Sequence, residues 1–148
     1  RLVQAAPREA QRAVRQIMGL LGALALALML VLLLAGPWLF ARVFGPDWRQ
    51  AGELARALAP YIAAHFVAAP LAVVTMAWQG QRWALRLALV GQLAFLLALA
   101  WGLYSGGLLR GAWAVSAVMV LYFGYYFWRL AHWPDIPAHA AARVQAQA

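Results

Sequence analysis

Long apolar runs broken by short polar breaks set the architecture of this chain. The first run extends from about Ile17 to Phe40 without a charge. Others run from about Ala57 to Gln81, Leu87 to Leu109 and Gly111 to Leu130. Each approaches or exceeds the length of about 20 residues that crosses a hydrocarbon core. Leucine and alanine come in blocks, not at period two, so strands are not indicated. In lipid every backbone N–H and C=O must be satisfied within the protein, which makes these runs helices. The pattern predicts an all-α integral membrane protein: a basic cytoplasmic flank over 1–16, four transmembrane helices within 17–133, and a disordered polar tail over 134–148.

The connections are short. The second and third helices join around Gln79, Gly80, Gln81 and Arg82; the third and fourth join around Ser105, Gly106 and Gly107. Links this short predict antiparallel neighbours. The first break is longer: FGPDWRQAGELARALAP, residues 44–60. Gly45-Pro46 is a turn signal. Asp47 reads as an N-cap, and Trp48, Ala51, Leu54 and Leu58 follow at helical spacing. That predicts a short amphipathic helix at the interface feeding into the second span, either as a connector or as a moving lintel over an external opening.

Composition sharpens the membrane reading. Of 148 residues, 66% are hydrophobic and 11% are charged, against about a quarter charged in soluble domains. The net charge is +8, yet the cations, all arginine, sit mostly at the edges of apolar runs. That placement suits topology signals and headgroup contacts, not a nucleic-acid footprint. Arg1, Arg8, Arg12, Arg15, Arg82, Arg86, Arg129 and Arg143 fall on one side, and Arg42, Arg49, Arg56 and Arg110 on the other. The bias puts both ends of the segment in the cytoplasm. Trp38 and Phe40, Trp78 and Trp83, and Tyr125, Tyr126, Trp128 and Trp133 fit interfacial anchors. The chain has no cysteine, which removes disulfides and thiolate chemistry. No cleavable signal peptide is visible, and the start at Arg1 suggests a piece of something longer or a processed chain.

Candidate chemistry concentrates on the second span. Pro60 and Pro70 lie inside it as hinges, and a mid-helix proline frees the carbonyl four residues back. For Pro70 that carbonyl belongs to Phe66, beside His65. Tyr61, His65, Ala68, Ala72, Thr75, Gln79 and Arg82 fall on one narrow helical stripe. The stripe is a close helix–helix seam with interhelical hydrogen bonds, the wall of a hydrated cavity, or both. Gln92 reads as interhelical glue. Tyr122, Tyr126, Arg129 and Trp133 share one side of the last helix near its end, where they suit lipid anchoring or an anionic group. No metal-ligand cluster, paired carboxylates, phosphate loop or hydrolytic constellation is present, so neither an enzyme nor a cofactor is expected.

The string FGPDWRQAGELARALAP, followed by VAAPLAVV and QGQRW, resembles the C-terminal part of polysaccharide flippases of the O-antigen, capsule and exopolysaccharide type. These belong to the multidrug/oligosaccharidyl-lipid/polysaccharide exporter superfamily. The matching residues are Phe44, Gly45, Trp48, Ala51, Gly52, Arg56, Leu58, Ala59 and Pro60, then Pro70 and Leu71, then Gln81 and Arg82. The likeness spans about residues 10 to 130. It implies the last four helices of a two-lobed transporter in the cytoplasmic (inner) membrane, working by alternating access. The implied substrate is a lipid-linked oligosaccharide of the polyprenyl diphosphate type. The implied partners are membrane lipids and the remaining helices of the parent protein. Arginine grips phosphate bidentately, so Arg82 and Arg86 at the inner mouth join His65, Thr75 and Gln79 as candidate substrate contacts. A small-molecule antiporter of the same superfamily would need membrane carboxylates, and none lies within the four spans. An autonomous four-helix subunit or assembly partner is the remaining alternative.

Overall fold

A computed structural model describes the backbone of residues 2–133 and the side chains of residues 9–133. The tail expected to be disordered, 134–148, lies outside the described residues. The described residues fold into four helices: α1 (Leu2–Phe44), α2 (Arg49–Ala77), α3 (Gln81–Gly106) and α4 (Leu108–Ala131). A single 3-10 turn, Pro46–Trp48, joins the first two. All four helices are long and apolar enough to cross a membrane. The expected spans sit inside them, with ends shifted by a few residues. One end of the bundle, the terminal end, gathers the Gln11–Arg15 stretch of α1, the α2–α3 turn and the end of α4. The other is the loop end.

The N-terminal flank is not a separate segment, because α1 is helical from Leu2 onward. At 43 residues it is about 65 Å long, roughly twice the hydrocarbon thickness. Ala10 and Val14 are buried. The Gln11 Nε2 donates to the Trp133 carbonyl at 2.9 Å, and an Arg15 guanidinium N–H donates to the Ala131 carbonyl at 2.8 Å. The flank thus caps the end of α4, where orphan carbonyls and the negative end of the helix dipole favour a cation.

Asp47 does not cap α2. It lies within the 3-10 turn, and the N-cap position falls to Trp48, with no side-chain cap bond. Proline at the first position of the turn sets the chain direction there, and α2 starts two residues later than the aspartate. The amphipathic stretch does feed straight into the second span: α2 runs unbroken through Pro60 and Pro70.

The packing order differs from the chain order. α1 packs on α2, α2 on α4, and α4 on α3, while α2 and α3 barely touch. The expected neighbour pairing of the second and third spans is therefore wrong, because α4 inserts between them. Close small-residue crossings explain the choice, as expected where lipid removes the hydrophobic drive between helices. A Cβ on Gly102 would lie 2.2 Å from the Gly111 Cα, so α3 and α4 meet backbone to backbone. A Cβ on Gly52 would lie 2.5 Å from the Pro37 Cα, which fixes α1 against α2 in the same way. Between α2 and α4 the buried Ser116 hydroxyl donates to the Ala57 carbonyl at 2.6 Å. That carbonyl neighbours the one on Arg56 that Pro60 leaves without its helical partner.

Candidate functional site

The insertion of α4 leaves a cleft with α2 and α3 as walls and α4 as floor. Its volume is about 420 Å³, within the range of small-ligand sites. From α2 come Tyr61, His65, Ala68, Ala72 and Thr75. These are the first five members of the stripe read from the sequence. From α3 come Gly91, Gln92 and Phe95, and from α4 come Met119, Tyr122, Phe123 and Tyr126.

Aromatic contacts hold the walls. The His65 ring lies 5.9 Å from Tyr61 and 5.8 Å, edge-on, from Phe123. Tyr61 also reaches Phe95 across the cleft at 6.1 Å, which ties α2 to α3 near the middle of the bundle. Gly91 lets the hydroxyl end of the Tyr122 ring close on α3, because a Cβ there would come within 2.7 Å of it. A shallow, almost wholly apolar groove on the outer flank of α2 shares Tyr61, His65 and Ala69 with the cleft and continues to Pro70.

The lining is mostly apolar, with a few uncharged polar groups set among alanines, leucines and rings. Thr75 spends its hydroxyl proton on the Ala72 carbonyl at 2.7 Å, a back-bond common for threonine in helices. The side chains of His65, Gln92, Tyr61, Tyr122 and Tyr126 make no hydrogen bond among the described residues. None of them is a buried unsatisfied group either, so they face open space. Gln92 is thus not interhelical glue; it lines the cleft from α3 as an exposed amide.

Of the candidate substrate contacts, only His65 and Thr75 lie in the cleft. Gln79 has φ +57° and sits in the turn that ends α2. The Gly80 N–H donates to the Thr75 carbonyl at 2.8 Å and the Gln79 N–H to the Met76 carbonyl at 3.2 Å. This is a Schellman turn with glutamine in the left-handed position usually held by glycine. Gly80 is needed for another reason: a Cβ there would strike the Trp133 ring at 2.6 Å. Arg82 and Arg86, on the first turns of α3, are exposed and do not line the cleft. Pro60 and Pro70 lie where expected on α2, with Pro70 on the outer groove.

At the terminal end an aromatic cluster closes the bundle. Trp83 stacks on Tyr126 with ring centroids 5.9 Å apart and planes at 9°. Trp133 meets Trp83 edge-on at 5.1 Å and Trp78 at 6.0 Å. The Arg129 guanidinium lies 5.4 Å from the Trp133 ring centre, in cation–π contact. Trp78 is 5% exposed, so it is a core residue and not an interfacial anchor. Tyr125 and Trp128, by contrast, point outward from the end of α4. Gln92, Tyr122 and Tyr126 line the cleft although the sequence reading gave them other roles, as interhelical glue and as contacts to lipid or an anionic group. The signal for them is weak: single polar or aromatic residues on helices whose packing partners the connections misassign.

Comparison with protein-family models, with curated proteins and with solved structures gives no match to the chain.

Proposed function

We propose that this chain is part of a membrane transporter that flips a lipid-linked oligosaccharide precursor across the cytoplasmic membrane by alternating access. The observation that carries the reading is the cleft: a few convergent, uncharged polar groups in an otherwise apolar lining inside a helical bundle, with an apolar groove alongside it. Such a pairing suits an amphiphile, with its polar part inside and its apolar part beside the lipid. The loop motif over 44–60 and the QGQRW turn, with their resemblance to polysaccharide flippases, support the substrate class. A hydrated diphosphate cannot cross hydrocarbon without counter-charge. In this reading Arg82 and Arg86 meet it outside the cleft at the terminal end. His65 and Thr75 serve the polar part, and Pro60 and Pro70 give α2 its freedom to bend. An ion-coupled antiporter is less favoured, because it needs an ionisable carboxylate facing the pathway, and the cleft lining holds none among the described residues.

The test is a vesicle flipping assay on the full-length native protein, with a fluorescent short-chain polyprenyl diphosphate oligosaccharide. Pro70→Ala restores the freed hydrogen bond, straightens α2 and is expected to slow flipping severalfold at equal protein level. Flipping at the wild-type rate by both Pro70→Ala and His65→Leu removes the cleft from the pathway.

A further inference from the structure

We infer that the α2–α3–α4 cleft is a binding site for a neutral saccharide, with Gln92 and Tyr122 as its principal hydrogen-bonding residues. The inference rests on the flippase reading for the source of the saccharide; the chemistry comes from the lining itself. Tyr61, His65, Gln92, Tyr122 and Tyr126 converge from three helices, and all five side chains are without hydrogen-bond partners among the described residues. Each phenol donates and accepts at one oxygen, a neutral imidazole donates at one ring nitrogen and accepts at the other, and the amide offers two donors and an acceptor. A sugar hydroxyl also donates and accepts, so it can satisfy them all.

Other ligands fit less well. An organic cation would gain from the aromatic faces, but it accepts no hydrogen bond and would strand the donors of Gln92 and the phenols. A diphosphate would bring charge into a site without a cation, since Arg82 and Arg86 lie outside it, and unpaired charge is costly in a low-dielectric interior. A purely hydrocarbon ligand would leave every polar group unpaired. The aromatic walls meanwhile suit the apolar C–H face of a pyranose ring. Phe123 lies edge-on to His65 and Phe95 packs against Tyr61, so rings from all three helices line the cleft. Gly91 sets the position of the Tyr122 phenol beside Gln92, because any side chain there would displace that ring.

The experiment is saturation-transfer NMR on the full-length protein in phosphatidylglycerol nanodiscs. The probes are the methyl glycosides of glucose, galactose, mannose and N-acetylglucosamine, with tetraethylammonium as the rival ligand. At least one glycoside is expected to receive saturation on its ring protons. Gln92→Leu and Tyr122→Phe should each weaken it by about fivefold, the scale of one lost neutral hydrogen bond. Tyr122→Phe removes only an oxygen and keeps the ring, so it also guards against a folding defect. Leu96→Ala, on the exposed side of α3 and outside the cleft lining, should leave binding unchanged. Silence from all four glycosides, or saturation of tetraethylammonium alone, overturns the inference. So does a glycoside signal that both cleft variants leave intact. Flipping is read separately in vesicles: flipping without glycoside binding overturns the saccharide site and spares the flippase, while glycoside binding without flipping does the reverse.

Discussion

Gly52→Ala should loosen the α1–α2 seam, and the size of the effect follows from the crossing geometry. A methyl group at residue 52 would sit 2.5 Å from the Pro37 Cα, 2.7 Å from the Gly36 carbonyl oxygen and 2.9 Å from the Pro37 nitrogen. All three are backbone atoms, so no rotamer change relieves the clash. The helices must separate by about 1 Å, and a gap of that size forfeits a quarter to a half of each dispersion contact. Overpacking of this kind costs about 1–3 kcal/mol. Alanine returns up to about 1 kcal/mol through helix propensity. With that return made in full, the net loss is about 0–2 kcal/mol. Gly19 provides the control on the same helix pair, because nothing lies within 4 Å of its would-be Cβ. Gly19→Ala should gain up to about 1 kcal/mol by the same propensity term. Reversible unfolding in mixed micelles, titrated with dodecyl sulfate and followed by circular dichroism, reads both variants. The expected midpoints fall on opposite sides of wild type. A Gly52→Ala midpoint at or above that of Gly19→Ala refutes the backbone-contact account of the seam.

Two further outcomes follow from the ends of the helices. Gln79→Gly removes the cost of a left-handed conformation at φ +57°, about 1–2 kcal/mol, and gives part of it back through the freer unfolded chain. A gain of about 0.5 kcal/mol is expected in the same titration, with flipping unchanged; lost flipping at full stability would return Gln79 to the substrate path. Arg15→Glu puts a negative charge on the carbonyl end of α4, where Arg15 now donates to Ala131. It should cost about 1 kcal/mol at low salt, shrinking as salt rises, whereas Arg12→Glu, one turn earlier and exposed, should cost less. Equal losses at the two positions would mean that the effect is general charge and not capping.

The helices themselves were legible because hydrocarbon imposes a length and an apolar content that few other structures need. The Gly107 link was legible too, since a one-residue connection at φ +92° favours glycine. The site was half legible. Tyr61, His65, Ala68, Ala72 and Thr75 fell on one face because α2 keeps its helical period through that region. Gln79 and Arg82 were assigned to the same face by continuing the wheel past Ala77, where the Schellman turn ends the helix and resets the angle. A short link such as 78–80 fixes the direction of the next helix but not its packing partner. That choice lies with the close approaches of Gly102 to Gly111 and of Gly91 to Tyr122, and no spacing rule in a single sequence pairs those residues.

The same choice decides what the stripe on α2 becomes. Had α3 packed on α2, as the short turn suggests, His65 and Thr75 would face a neighbouring backbone and the stripe would be a seam. With α4 between them, α2 divides its faces. Ala57, Ala63, Val67 and Leu71 are buried, and Ala57 takes the Ser116 bond from α4. Tyr61 and His65, one turn apart, are left at the edge of that contact, looking across at Phe95 and Gln92. Seam and cavity wall therefore coexist on one helix, separated by a fraction of its circumference. The polar groups stay uncompensated within the fold because the helix that would have paired them is held off by a third. That arrangement leaves hydrogen-bonding capacity available to a ligand without any charged side chain in the lining.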